Sequence, residues 1–304
     1  MPTANEPRAR LARVAAATGL RVPEDAEHLL SWSNDAWRCG DVIVRVCYRG
    51  DPQRLVREAA IGAALPAEVC YPRVLDAGFD GELSWMMVAR VGGESLWARR
   101  RTMAELRPLM RQVADALRAL HTWQPPADVL AMLRARDTSA GSDADAVIGH
   151  DILPLPAPRW APLAEAALAL PGVDAGVVRA AVARLKELAA HDPFADDANV
   201  VVHGDVNFSN LLATDGEITA LLDFEWARLG PPEAELVSLL NGERHSPVVQ
   251  WLRADYPEMF SHPHLVERVW VTELAYVLRH LVVTQGDVDE VRTLERLVDA
   301  PWSF

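Results

Sequence analysis

Residues 201–226 read VVHGDVNFSNLLATDGEITALLDFEW. Short apolar runs at 201–202, 211–213 and 218–222 alternate with polar loops, so the stretch predicts short strands joined by turns. Asp215-Gly216 between two of these runs signals a hairpin, because a type I′ turn needs positive φ at both of its central residues. Three groups with metal and proton chemistry, Asp205, Asn210 and Asp223, stand at strand ends. The thirteen-residue step from Asn210 to Asp223 holds the hairpin, which folds the second carboxylate back beside the first loop. Phosphoryl transfer needs such a set: oxygen ligands that hold Mg²⁺ on the phosphates, and a carboxylate that orients the acceptor hydroxyl and takes its proton. Asp223 and Asn210 suit the first task and Asp205 the second.

Toward the N-terminus, DVIVRVCY at 41–48 is β-branched and alternating and WMMVARV at 85–91 is a second apolar run, so both predict strands. Asp51-Pro52 marks a helix start between them, and QRLVREAAIGAAL at 53–65 carries the 3.6-residue apolar period. On the first strand Arg45 faces away from Val44 and Val46, with Glu58 of the helix as its natural ion-pair partner. Ser33 and Asn34, just upstream, are placed to cap phosphates as a glycine-poor phosphate loop, or to form a plain turn. The opening MPTANEPRARLARVAAATGL predicts a first helix rather than a signal peptide. Gly92-Gly93 then breaks the pattern, and from Met103 the spacing of Leu106, Leu109, Val113, Leu117 and Leu120 predicts a long helix that opens a second lobe. Residues 124–176 are rich in Pro, Asp and Ala around two short helical patterns near 128–135 and 160–170, and predict an irregular insertion on that lobe. Helical spacing returns at 177–190, 233–241, 264–283 and 287–298. The expected architecture is α+β and bilobal: a small β-rich lobe with one helix at 1–91 and a larger, mainly helical lobe at 92–304.

Composition narrows the function. Half of the 304 residues are hydrophobic and 24% are charged, the balance of an ordinary globular protein, and no apolar stretch reaches a bilayer span. A cytoplasmic location and no membrane partner are expected. The net charge of −13 repels a phosphate backbone and no basic stripe offsets it, so nucleic acid is excluded as a partner and a cationic small molecule is favoured. Cys39, Cys47 and Cys70 form no C-x-x-C pair and predict inert thiols. Lys186 is the only lysine and lies in a helical pattern, which excludes a G-x-x-x-x-G-K-[ST] phosphate loop. His262 and His264 sit in no ligand motif and are given no role.

HGDVNFSN at 203–210 followed by LLDFEW at 221–226 resembles the catalytic and metal-binding segments of the aminoglycoside phosphotransferase and choline kinase-like family, which shares the protein-kinase fold. The resemblance implies Asp205 as catalytic base, Asn210 and Asp223 as Mg²⁺ ligands, and His203 as a loop-stabilising residue. Weaker similarity covers most of the chain: LSWSNDAWRCGDVIVRV resembles the family's nucleotide loop and third strand, VREAAIGAAL its N-lobe helix, and MMVARVGGESL its hinge, which implies Val88 and Ala89 as nucleotide contacts. Two positions depart from the family pattern. Arg45 stands where a lysine commonly bridges nucleotide phosphates to a helix carboxylate, and Glu235 stands where an aspartate commonly braces the catalytic loop.

The expected activity is that of a small-molecule O-phosphotransferase using Mg²⁺ with ATP or GTP. Its acceptor would be an aminoglycoside or another cationic antibiotic, or else a sugar or amino alcohol. A kinase-like regulatory protein that binds nucleotide with little turnover is the competing reading, motivated by Arg45 and Glu235. A protein kinase is disfavoured, since no H-R-D loop and no A-P-E-like anchor is present. For the acceptor, Asp143, Asp145, Asp151 and Glu165 of the insertion, with Glu225, form either an acidic wall that steers a cationic acceptor or a solvated acidic loop, and Trp226 is expected to line the cleft.

Overall fold

The structure is a computed structural model that describes residues 6–29, 31, 34–48, 50–134, 157–190, 200–240 and 247–300. Helix α1 (Pro7–Thr18) leads into strands β1 (Glu27–Leu29), β2 (Asp35–Cys39) and β3 (Val42–Cys47), then helix α2 (Arg54–Ala64) and strands β4 (Val74–Phe79) and β5 (Ser84–Ala89). The five strands form one antiparallel sheet in the order β1-β2-β3-β5-β4. Strand period 2 divides it into two faces. Val44, Val46, Trp85 and Met87 pack with Leu11 and Val14 of α1, while Met86 and Val88 pack with Leu55 and Ala59 of α2. Because β5 is buried on both faces, its sequence is an unbroken apolar run rather than an alternating one. Arg45, directly opposite Met86, falls on the α2 face, and this places it against Glu58.

The second lobe opens with β6 (Glu94–Ser95) and the long helix α3 (Met103–Thr122). Thr102 and Glu105 form a reciprocal capping box at its start, satisfying two of the amides that a helix leaves unpaired. Helices α4 (Ala127–Arg134), α5 (Ala157–Leu168) and α6 (Ala175–Ala189) precede strands β7 (Val200–Val202), β8 (Leu211–Thr214), β9 (Glu217–Leu221) and β10 (Arg228–Gly230). Helices α7 (Glu235–Leu240), α8 (Pro247–Asp255), α9 (Leu265–Val283) and α10 (Val288–Asp299) complete the described chain. Strands β8 and β9 pair through the expected hairpin, with Asp215 at φ 51° and Gly216 at φ 84°.

Two apolar cores fill this lobe. The first joins the stripe of α3 to α4, β8, β9, α7 and α8, and the second joins α5, α6, α9 and α10. Helix α9 contributes Val269 to the first and Trp270, Leu274 and Leu278 to the second. The stretch 124–176, read from sequence as an irregular insertion, therefore places its described helices α4 and α5 inside the cores rather than upon them. Helix α8 has no counterpart in the sequence reading, because nine residues starting at a proline give too few turns for a clear period. Cys39 and Cys47 are buried, whereas Cys70 is partly exposed. No helix among the described residues is long and apolar enough to cross a membrane.

Candidate active site

The loop after β7 is fixed from both sides. His203 is fully buried; its Nδ1 accepts the amide of Asp205 at 3.1 Å and its Nε2 faces the carbonyl of Leu222 at 2.8 Å, an arrangement that suits a neutral ring protonated on Nε2. Burial pushes its pKa below the usual imidazole range. Glu235, at the start of α7, accepts the amides of His203 at 2.5 Å and Gly204 at 3.1 Å, and lies 3.6 Å from Nε2 of His121. Burial alone would raise this carboxyl, but the contacts with His121 and His203 outweigh it and hold the pKa below the usual carboxylate range. The glutamate thus reaches the loop amides that a shorter aspartate commonly braces. Gly204 has φ 82°, and a Cβ there would lie 2.9 Å from the carbonyl of Trp226, so the loop admits no side chain at this point.

Asp205 is oriented by two amides. Asn207 Nδ2 donates to its Oδ1 at 3.0 Å, and Asn210 Nδ2 donates to its Oδ2 at 3.1 Å and to its carbonyl at 2.9 Å. Sequence reasoning missed Asn207, yet it is the hub of the loop, for its Oδ1 also accepts the amides of Ser209 and Asn210. The N-x-S-N run is the signal that could have found it, since such residues close side-chain-to-backbone turns. Burial and the neighbouring charge of Asp223 push the carboxyl of Asp205 up to about 7, against the opposing influence of Asn207 and Arg279.

Asp223 ends the hairpin in a left-handed conformation, φ 69°, and the amide of Leu222 bonds the carbonyl of Asn210 at 2.8 Å, tying the two loops together. Asp223 Oδ1 accepts from Arg45 at 2.8 Å. Arg45 also donates to both oxygens of Glu58 at 2.7 Å and to Glu225 Oε2 at 3.1 Å. Glu58 is fully buried and accepts the hydroxyl of Tyr71 at 2.9 Å and the amide of Phe224 at 3.0 Å. Burial raises Glu58 to about 7 against the pull of Arg45. Nothing in the local sequence marked Tyr71, because its partners are brought to it only by folding.

The other residues expected at the site have the following surroundings. Glu225 is not on an acceptor wall: it is buried, its Oε2 faces Asn34, Arg45 and Arg54, and its Oε1 accepts the indole N–H of Trp226 at 3.2 Å. Asn34 is buried, and its side chain donates to Glu225 at 2.8 Å and accepts from Arg54 at 2.8 Å. Val88 packs against α2, and the amide of Ala89 bonds the carbonyl of Arg73 at 2.8 Å. Trp226 is partly buried, with the guanidinium of Arg279 4.0 Å from its ring centre. Glu165 is exposed on α5. Ser33, Asp143, Asp145 and Asp151 lie outside the described residues.

The donor set suits a hard divalent cation. With the amide nitrogen of Asn210 committed to Asp205, its Oδ1 remains an acceptor, and the Asp223 side chain, bonded to Arg45 through Oδ1, is 30% exposed, so both side chains carry the oxygen donors that such a cation takes.

The profile of the phosphotransferase enzyme family matches residues 25–264. No curated protein matches the chain in sequence. Among solved structures, the fold is similar to aminoglycoside phosphotransferase APH(4)-Ia in ternary complex with AMP-PNP and hygromycin B, at 19% identity and a TM-score of 0.63 over 98% of this chain and 97% of that one. It is also similar to macrolide 2′-phosphotransferase type I, at 15% identity and a TM-score of 0.61 over 99% and 98% of the two chains. A third similar structure is aminoglycoside-3′-phosphotransferase of type VIII, at 21% identity and a TM-score of 0.52 over 95% and 98%. The fold and the family profile define a phosphotransferase built on the bilobal kinase-like plan. The chain belongs to the phosphotransferase enzyme family.

Proposed function

We propose that this enzyme transfers the γ-phosphoryl group of ATP or GTP to a hydroxyl of a small molecule, with Asp205 as the base. The observation that carries the reading is the joined pair of loops. Asp205 is held by Asn207 and Asn210, and the hairpin returns Asp223 beside Asn210 through the Leu222 amide. Burial in the loop makes this carboxylate more basic than an ordinary aspartate, which suits it to draw a proton from a hydroxyl. Asn207 and Asn210 fix the direction in which its oxygens point. Asn210 and Asp223 are the residues that would hold Mg²⁺, which when bound supplies charge neutralisation of the phosphates. The AMP-PNP complex of the similar aminoglycoside enzyme supports a nucleotide donor. In this reading residues 1–91 form the nucleotide lobe and 92–304 the catalytic and acceptor lobe, with Val88 and Ala89 at the junction.

Aminoglycosides and macrolides head the acceptor classes, because similar structures carry those names, with sugars and amino alcohols following. The net charge of −13 favours a cationic member. A nucleotide-binding protein with little turnover is the second reading, favoured by the full engagement of Arg45 with carboxylates. Nucleotide consumption, measured with ATP and GTP separately against hygromycin B, other aminoglycosides, macrolides, sugars and amino alcohols, tests both. Acceptor-dependent turnover lost in Asp205→Asn supports the enzyme, while nucleotide binding with no turnover across the panel favours the second.

A further inference from the structure

Arg45 is engaged at both ends of its fork. One terminal nitrogen donates to both oxygens of Glu58, and the other to Asp223 Oδ1 and Glu225 Oε2. Its side chain is only 13% exposed. Glu225 is itself gripped by Asn34 and Arg54, so the carboxylates that hold the fork do not swing freely with it. We propose that Arg45 withholds Asp223 from a divalent cation in the nucleotide-free enzyme and releases it when nucleotide phosphates give the guanidinium other acceptors. The inference rests on the assignment of Asp223 as a metal ligand in the reading above.

The physical reason is competition between like charges for one set of oxygens. Oxygens of Glu58, Asp223 and Glu225 lie within 4.8 Å of one another and all three bond Arg45, so a cation taken up by Asp223 would sit close to the guanidinium. An arginine does not lose its proton to relieve that repulsion. The ammonium of a lysine, the residue common at this position, is a single point of charge and spans fewer partners than the planar fork. Phosphate oxygens match the geometry of the fork as well as carboxylates do, so nucleotide binding offers Arg45 an equivalent set of bonds and frees Asp223 at the same moment. Nucleotide and cation then bind with positive coupling, and each raises the affinity of the other by the same factor.

Mn²⁺ is the probe, followed by its EPR signal on the full-length protein, alone and with AMP-PNP or GMP-PNP. Wild type is expected to bind Mn²⁺ about tenfold or more tightly with nucleotide than without. Arg45→Met, similar in length and uncharged, is expected to gain about tenfold or more in Mn²⁺ affinity without nucleotide, and to lose that gain when combined with Asp223→Asn. Arg45→Lys, which keeps the charge but not the fork, should fall between the two and decides the matter if Arg45→Met does not fold. Equal nucleotide-free Mn²⁺ affinity in wild type and the Arg45 variants, or a gain that survives Asp223→Asn, overturns the gate. Failure of the wild type to bind either Mn²⁺–nucleotide complex overturns the underlying reading instead.

Discussion

Asp205, the proposed base, shows how little of a residue's behaviour lies in its own side chain. Its two oxygens are assigned to two different amides, from Asn207 and Asn210, while burial and Asp223 raise its pKa toward neutrality. Asp205→Asn keeps the shape of the side chain and removes only the proton acceptor. It should lower kcat by about 10²–10⁴ and leave nucleotide affinity nearly unchanged, as steady-state kinetics and calorimetry together would report. Full activity in that variant would remove Asp205 from the role of base. Glu235 acts on the same loop without touching its chemistry, and its effect is on stability. Because its folded carboxyl titrates below the ordinary value of about 4.3, it contributes stability above that pH and loses it as the pH falls through the folded value. The difference in Tm between wild type and Glu235→Gln should therefore narrow as pH falls from about 6 to about 3.5. A constant difference across that range would show that the loop is not braced by the ionised carboxylate.

The β8–β9 hairpin is the element that turns two separate loops into one site. Its turn uses Asp215 and Gly216 at positive φ, as a type I′ connection requires, and the open space around Gly216 leaves conformation as the only obstacle to a side chain there. Gly216→Ala should cost about 1–2 kcal/mol by thermal or denaturant unfolding. Gly204 shares the left-handed backbone but lies under the carbonyl of Trp226, so Gly204→Ala adds a steric clash and should cost more than Gly216→Ala. Equal losses at the two positions would mean that the loop after β7 gives way without strain. This hairpin was legible in the sequence because Asp-Gly between apolar runs has few other uses. The long stripe of α3 was legible for the same kind of local reason. Helix α8 and the packing of α4 and α5 were not, since short helices declare their buried face only against a partner.

Among the described residues, the side-chain ties between the sheet lobe and the segment that ends the hairpin converge on residues 223–225. Arg45 and Glu58 reach Asp223, Phe224 and Glu225, and Asn34 and Arg54 reach Glu225. If Arg45 and Glu58 act as one unit in holding nucleotide, Arg45→Ala and Glu58→Ala should each weaken Mg²⁺–nucleotide binding, and the double variant should lose less than the sum by roughly 0.5–3 kcal/mol in a double-mutant cycle. Additive losses would mean that the pair does not exist as a functional unit. The Arg45–Glu58 pairing was open to sequence reading, since strand alternation and helix spacing put both on one side of the small lobe. The rest of the cluster was not. Glu225 and Asn34 read as acceptor and phosphate contacts because each, taken locally, is a polar residue beside a site. Folding brings them together across 191 positions of sequence and seals both into a buried network. The sequence by itself determined the hairpin, the polar loops at the strand ends and the plan of a β-rich and a helical lobe, because those follow from short-range periodicity and turn chemistry. Only the tertiary structure decided which charges meet, because a buried carboxylate takes whatever donors the packing of distant segments brings within reach.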